Sequence, residues 1–243
     1  MLGKQKAKYI QSLGHKKVRD EEGVFVAEGV KIVDELLHTN KQLISHLYAE
    51  EEWIASHDAI LSGIDYTSVT TDELSKISQL STPNKVLAIV KKIPLQKIQT
   101  KRQLLLGLDT IQDPGNLGTI IRIADWFGIK NIICSAECAD VYNPKTIQST
   151  MGSFLRVNLL YTNLAEWLSG NKDLKVYAAL LDGQDVGAMK KINEGMIIIG
   201  NESKGISDMI LERVNIKITI PKKGNAESLN AAVAAGIILS HLS

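Results

Sequence analysis

Five polar side chains, Asn116, Arg122, Glu202, Ser228 and Asn230, fall just beyond the ends of three short apolar runs. An Arg at such a place can reach an anion. An amide both donates and accepts and so can orient a hydroxyl, whereas a guanidinium stays protonated and can only donate to, and neutralise, an anion. Asn116 could orient a substrate or cap a helix; Glu202 could hold Arg122 or contact substrate; Arg122 could pair with Asp125 or Glu202 instead of a ligand. Ser228 and Asn230 could reach a ligand, although a helix cap explains Ser228 nearly as well. Cys134 and Cys138 are the only cysteines; their spacing has no histidine or second cysteine pair nearby to complete a zinc site, and Cys134 reads as core packing.

These residues need elements to hold them. Residues 104–108 are wholly apolar or glycine and suit a strand buried on both faces. Asp113, Pro114, Gly115 and Asn116 then supply turn chemistry, with Asn116 as the cap of a helix whose Ile120, Ile121, Ala124 and Phe127 recur at helical spacing, ended by Gly128. Residues 196–199 form a second such strand, running into Gly200–Gly205, and residues 216–220 a third, running into Pro221, Lys222, Lys223 and Gly224. Ligand sites in open α/β sheets lie beyond the carboxyl ends of strands, so the three junctions predict one composite pocket that Arg122 can reach. Gly200, lacking Cβ, lets the backbone approach a ligand closely. The last helix, residues 228–242, is apolar nearly all round and must be covered on most sides, inside the chain or at a subunit interface.

The chain of 243 residues can bury one large core or two modest ones. Hydrophobic content of 44% and charged content of 23% are ordinary for a globular protein, and a net charge of +1 means that affinity for nucleic acid must come from local patches. No segment approaches a membrane span and the first residues lack a signal peptide's apolar stretch, so a cytoplasmic location is expected. Lys4, Lys6, Lys8, Lys16, Lys17 and Arg19 make the opening segment basic, either as a solvated helix face or as an arm contacting phosphates. Strands are predicted at 24–27, 44–49 and 86–90 and helices at 29–37, 51–57 and 71–80, an alternating α/β unit. Residues 91–102 carry five basic residues and a proline and read as a tether. Beyond it, strands at 129–134, 157–161 and 174–181 and helices at 145–152 and 163–168 complete a pattern that predicts a mostly parallel sheet covered on both faces. The expected organisation is a small α/β domain at 1–94, a linker at 95–103 and a larger parallel-sheet domain at 104–243.

Together, DPGNLGTIIRIADWFG (113–128), IIIGNESKGIS (197–207) and ITIPKKGNAESLNAAVAAGI (218–237) resemble the three motifs of the SpoU (TrmH-like) RNA ribose 2′-O-methyltransferases of the SPOUT superfamily. FVAEGVK at 25–31 is similar to the opening of the small domain, itself like ribosomal protein L30e, that precedes the catalytic part in many of these enzymes. The chain departs from the pattern where Ser203 and Lys204 follow Glu202 in place of a small glycine, where Lys222 and Lys223 replace an apolar residue, and at Ala231 and Ala232.

The resemblance implies an α/β fold with a trefoil knot in the parallel-sheet domain, methylation of a ribose 2′-hydroxyl in RNA, S-adenosylmethionine as cofactor, and a homodimer built through the knot region. It implies a catalytic set of Arg122, Asn116, Glu202, Ser228 and Asn230, and main-chain cofactor contacts at Gly200, Ile220 and Leu229, with Leu180 or Leu181 as a looser candidate. Because a guanidinium stays protonated, Arg122 is expected to clamp phosphate or stabilise the alkoxide rather than act as a base. Ribosomal RNA is favoured over transfer RNA by the extra domain, and an unpaired loop by the need to splay out a ribose. Two other readings are a non-catalytic RNA-binding protein of the same fold and a dinucleotide-dependent enzyme; the latter lacks GxGxxG, since Gly115 and Gly118 are spaced GxxG.

Overall fold

The structure, a computed structural model, describes residues 2–80 and 82–243. It divides into two compact units, Met1–Pro94 with Tyr142–Leu155 and Leu95–Val141 with Arg156–Ser243.

In the first unit the basic opening segment folds as α1 (Lys4–Ser12) and α2 (Lys16–Glu22), followed by β1 (Val24–Glu28), α3 (Val30–Thr39), β2 (Ile44–Ala49), α4 (Glu51–Leu61), β3 (Tyr66–Ser68), α5 (Thr71–Ser75) and β4 (Val86–Lys91). The sheet runs β1-β4-β2-β3, with β4 antiparallel to both neighbours and β3 parallel to β2. Ile10 and Leu13 pack with Val26, Tyr48, Leu87 and Ile89, which explains why a strongly charged segment folds at all. The lysines of α1 and α2 face solvent, but Arg19 is only 1% exposed and cannot serve as a phosphate contact. Its guanidinium donates to the carbonyls of Leu13 (2.8 Å) and Gly14 (2.7 Å) at the end of α1. Arg19→Ala strands both carbonyls away from a charged donor and is expected to destabilise this unit by about 3 kcal/mol, read as a lower urea midpoint.

The helix expected at 71–80 stops at Ser75. It starts from a capping box in which the Thr70 hydroxyl accepts from the Glu73 amide (3.2 Å) and the Glu73 carboxylate accepts from the Thr70 amide (3.1 Å). Past Ser75 the chain is drawn to the buried Glu28 carboxylate, which accepts from the Ser78 hydroxyl (2.5 Å) and the Gln79 amide (2.7 Å). Burial raises the Glu28 carboxyl above its ordinary range.

The second unit opens with β5 (Leu104–Leu108), α6 (Pro114–Trp126) and β6 (Asn131–Cys134). The chain then contributes α7 (Pro144–Thr150) to the first unit, where Tyr142 packs on Phe25 at 4.6 Å between ring centroids and Gln148 donates to the Glu28 carbonyl (2.7 Å). It returns with β7 (Asn158–Tyr161), α8 (Leu164–Gly170), β8 (Val176–Asp185), β9 (Gly195–Ile199), α9 (Asp208–Leu211), β10 (Ile216–Thr219) and α10 (Ala231–Leu242). The order β10-β8-β9-β5-β6-β7 is parallel throughout, as the unbroken apolar runs predict. Leu105, Ile133, Val176, Met196 and Ile198 pack with Leu164 and Leu168 of α8 and Ile210 of α9, while α6 and α10 pack on each other and α10 also touches β9. No helix among the described residues is long and apolar enough to cross a membrane.

This topology makes room for a ligand. After β5 the strand order proceeds outward through β6 and β7, then reverses to place β9 on the other side of β5, so the loops after β5 and β9 part at the sheet's carboxyl edge. A second irregularity lies beside it. Lys217 pairs with Ala178 but Ile218 pairs with Gln184, so residues 179–183 of β8 are extra to the ladder with β10 and form a bowed bulge in the strand.

Candidate active site

The loop after β5 begins with Asp109, 4% exposed, whose carboxylate accepts from the Thr110 hydroxyl (3.0 Å) and from the Ser207 amide (2.8 Å). It therefore ties the loop after β5 to the segment after β9. α6 is capped by Asp113, which accepts from the Asn116 amide at 2.9 Å, and Pro114 occupies the first helical position. Asn116 is thus not the cap expected from the sequence. It lies in the first turn, and its side chain is left for other work.

That side chain is held from both ends. Asn116 Nδ2 donates to Glu202 Oε1 (2.6 Å), and Asn116 Oδ1 accepts from Asn230 Nδ2 (2.9 Å). Asn230 Oδ1 in turn accepts from the Ala232 (3.0 Å) and Val233 (3.3 Å) amides and caps α10, while the Ala231 amide donates to Glu202 Oε1 (3.3 Å). Both amide orientations are fixed by this sequence of donors and acceptors, because a carboxylate only accepts and backbone amides only donate. The Glu202 carboxylate also sits at the positive end of α10, where a negative charge is favoured. Three loops far apart in sequence are thereby latched together. The last helix starts at Ala231 with Asn230 as its cap, so Ser228 does not cap it.

The turn after β9 owes its shape to Asn201. Its Oδ1 accepts from the Ser203 (2.9 Å) and Lys204 (3.1 Å) amides, its Nδ2 donates to the Thr110 carbonyl (2.9 Å), and its main chain exchanges hydrogen bonds with Gly205 (3.0 and 2.9 Å). Ser203 and Lys204 are accommodated without a glycine after Glu202. The reason for Gly200 is sharper than ligand approach alone: a Cβ there would lie 2.5 Å from the carbonyl carbon and oxygen of Gly205 and 2.7 Å from Ile206 Cγ1.

Between these loops and the bowed part of β8 lies a cavity of about 660 Å³. Leu180, Leu181, Gly200, Ile220 and Leu229 line it, as do Glu202 and Ser228, and Ala231, Ala234 and Ile238 of α10 form one wall. Asn116 and Asn230 stand beside it through their bonds to Glu202 and Ala232. Arg122 is exposed on α6 and has no hydrogen-bond or ion-pair partner among the described residues. Its two candidate partners are engaged elsewhere: Asp125 binds Arg156 (2.8 Å) and Glu202 binds Asn116. Nearby, Cys138 Sγ accepts from the Ile111 amide (3.3 Å) and donates to the Leu108 carbonyl (3.3 Å). Hydrogen bonding to Cys138 and complete burial hold the Cys134 thiol well above its ordinary range, which leaves it no thiolate chemistry.

Sequence reasoning named Asp109, Asp113 and Asn201 as loop residues and missed that their side chains place the loops. Asp113 was readable, because Pro after Asp is a helix-start signal.

The profile of the SpoU rRNA Methylase family matches residues 103–240, and that of the MRM3-like substrate binding domain matches residues 4–88. The 23S rRNA (guanosine(2553)-2′-O)-methyltransferase of Bacillus subtilis is 34% identical over 241 residues, 98% of this chain and 96% of its own. Among solved structures, an AdoMet-bound rRNA methyltransferase from Sinorhizobium meliloti aligns with a TM-score of 0.88 and 30% identity over 99% of this chain and 95% of its own. A putative RNA methyltransferase of the TrmH family from Porphyromonas gingivalis aligns with a TM-score of 0.85 and 30% identity over 99% of this chain and 98% of its own.

Proposed function

The chain belongs to the SpoU rRNA methylase family, and from that premise we propose that it transfers a methyl group from S-adenosylmethionine to a ribose 2′-hydroxyl of ribosomal RNA, with Arg122 as the residue that meets the reacting nucleotide. The observation that carries this reading is the latch of Asn116, Glu202 and Asn230 beside the cavity, with an unpaired guanidinium on the helix that the latch anchors.

The cavity fits the cofactor. Its volume of about 660 Å³ lies in the range of small-molecule sites, and Leu180, Ile220, Leu229 and Ile238 give it apolar walls for a flat ring beside the loops after β9 and β10. Bound there, S-adenosylmethionine supplies an electrophilic methyl group on its sulfonium. The chain's residues do the rest. Glu202 Oε1 is occupied by two donors and serves to fix Asn116 and the start of α10. Asn116 and Asn230 orient one another, and Ser228 presents a hydroxyl to the cavity. Arg122 stays charged and stabilises the negative charge that grows on the 2′-oxygen as its proton passes to solvent water, or holds a phosphate of the same nucleotide in line. The first unit, matched by a substrate-binding profile and studded with the exposed lysines of α1 and α2, holds the RNA by phosphate contacts. The reaction takes place in the cytoplasm, where ribosomal RNA is found.

The enzyme acts as a homodimer. α10 is not covered on all sides: Val233 is 51% exposed, and Trp126 of its neighbour α6 is 85% exposed. A tryptophan that open on a packed helix pair fits burial by a second copy. Trp126→Glu with Val233→Glu is expected to convert the dimer to monomer in sedimentation equilibrium, and an unchanged mass would remove this surface from the interface.

The reading is tested by incubating the protein with labelled S-adenosylmethionine and unmodified ribosomal and transfer RNA pools. Label in the ribosomal pool, in a linkage that resists alkali, is the expected result. Label confined to transfer RNA, or none despite cofactor binding, contradicts it.

A further inference from the structure

We propose that Lys204, Lys222 and Lys223 form a rim that grips RNA phosphates at the mouth of the cavity, on either side of the ribose to be methylated; this rests on the methyltransferase reading above. All three line the cavity and all three are exposed, Lys204 on the loop after β9 and the other two on the loop after β10. None has a hydrogen-bond or ion-pair partner for its ammonium among the described residues. The carboxylates that could have quenched them are mostly committed. Glu202 accepts from Asn116 and Ala231, and Asp182 pairs with Lys217 at 3.6 Å, which leaves Glu227 as the one cavity-lining carboxylate with no described partner.

Lys204 is presented from a fixed position. Its amide is held by Asn201 Oδ1 (3.1 Å), and Asn201 is tied to the Thr110 carbonyl (2.9 Å), so its Cα is tethered to the loop that leads to Asn116. Neither the cavity wall nor the turn needs a lysine at these places.

At a net charge of +1 the whole molecule offers no field that would draw in a polyanion, so the attraction has to be local. A ribose to be methylated has a phosphate on each side, and lysine is a compact, flexible point charge that binds phosphate without demanding one geometry or one base. Lysines on two facing loops can hold both phosphates while Arg122 attends to the reacting hydroxyl. The same chemistry would also suit the carboxylate of the cofactor, and the experiment separates the two.

The full chain carrying Lys204→Gln, Lys222→Gln and Lys223→Gln, its Lys→Arg counterpart and the wild type are titrated with an unmodified ribosomal RNA transcript at several salt concentrations. Each is also titrated with S-adenosylmethionine alone and assayed for methyl transfer. Each phosphate neutralised on a single strand contributes roughly 0.7 to the slope of log affinity against log salt, so the Gln variant, releasing the two flanking phosphates, is expected to lose about 1.4 from that slope and the Arg variant to keep it. Its KM for RNA rises while cofactor affinity stays within about twofold, the change expected when uniform substrate binding is lost. An unchanged slope overturns the proposal, and so does a fall in cofactor affinity without a change of slope, which would assign the lysines to the cofactor. A wild type whose binding depends on these lysines but which transfers no methyl to any RNA supports the rim and defeats the methyltransferase reading instead.

Discussion

Arg122→Ala is expected to lower methyl transfer by roughly a hundred- to a thousandfold, the effect of removing one donor aimed at charge that develops in a transition state. The loss is expected in kcat, with affinity for S-adenosylmethionine within about twofold of wild type, because Arg122 does not line the cavity. Stability is expected to hold. The side chain is exposed and bonds to no described residue, so its removal leaves no buried group without a partner. This combination separates a chemical role from a structural one. Arg122→Lys keeps the charge but not the planar fork of donors and is expected to recover only a small part of the rate. Full recovery by lysine would reduce Arg122 to a phosphate contact, and an Ala variant as active as wild type would remove it from the reaction.

Gly200→Ala is the second large effect, and it works through the backbone. The added methyl meets the main chain of Gly205 at 2.5 Å and Ile206 Cγ1 at 2.7 Å, atoms that cannot swing aside like the end of a long side chain. The paired bonds between Asn201 and Gly205 must open, and with them the turn that carries Glu202 into the latch. A stability loss of roughly 1–3 kcal/mol is expected, typical of overpacking against atoms that cannot give way. Cofactor affinity falls by more than about tenfold as the cavity wall shifts. Gly224→Ala is the matched control: it lines the same cavity, but nothing lies within 4 Å of its added Cβ, and its stability is expected to match wild type. Thermal unfolding and cofactor titration of the two variants side by side test this, and equal behaviour of both would contradict it.

What the sequence showed of this molecule follows from where the information sits. Strands buried on both faces must be apolar along their length, so β5, β9 and β10 and the loops they run into were visible as runs and breaks. β3 was not, because Tyr66 and Ser68 are exposed and the strand has no apolar side to betray it. The helix at α5 was drawn too long because a carboxylate about fifty residues upstream, Glu28, claims Ser78 and Gln79. A charge run hid Arg19, whose partners are carbonyls that no pattern of side chains reveals. Likewise nothing in composition told that Tyr142–Leu155 would join the first unit.

The candidate site shows the same division. Asn116, Glu202 and Asn230 could be named from their motifs, yet Asn116 yielded the cap of α6 to Asp113, and what its side chain does instead depends on contacts across 86 and 114 residues. The cap of α10 fell to Asn230 rather than Ser228 because Asn116 holds the Asn230 amide nitrogen and so turns its oxygen towards the helix.

The central claim is that the methyl group goes onto a ribose 2′-oxygen of ribosomal RNA. Its most direct test is mass spectrometry of nucleosides released from ribosomal RNA after incubation with the protein and isotopically labelled S-adenosylmethionine, beside the Arg122→Ala variant. A labelled nucleoside that fragments with the methyl retained on the sugar, present with wild type and nearly absent with the variant, is the predicted result; label on the base fragment, or equal label from both proteins, would contradict it.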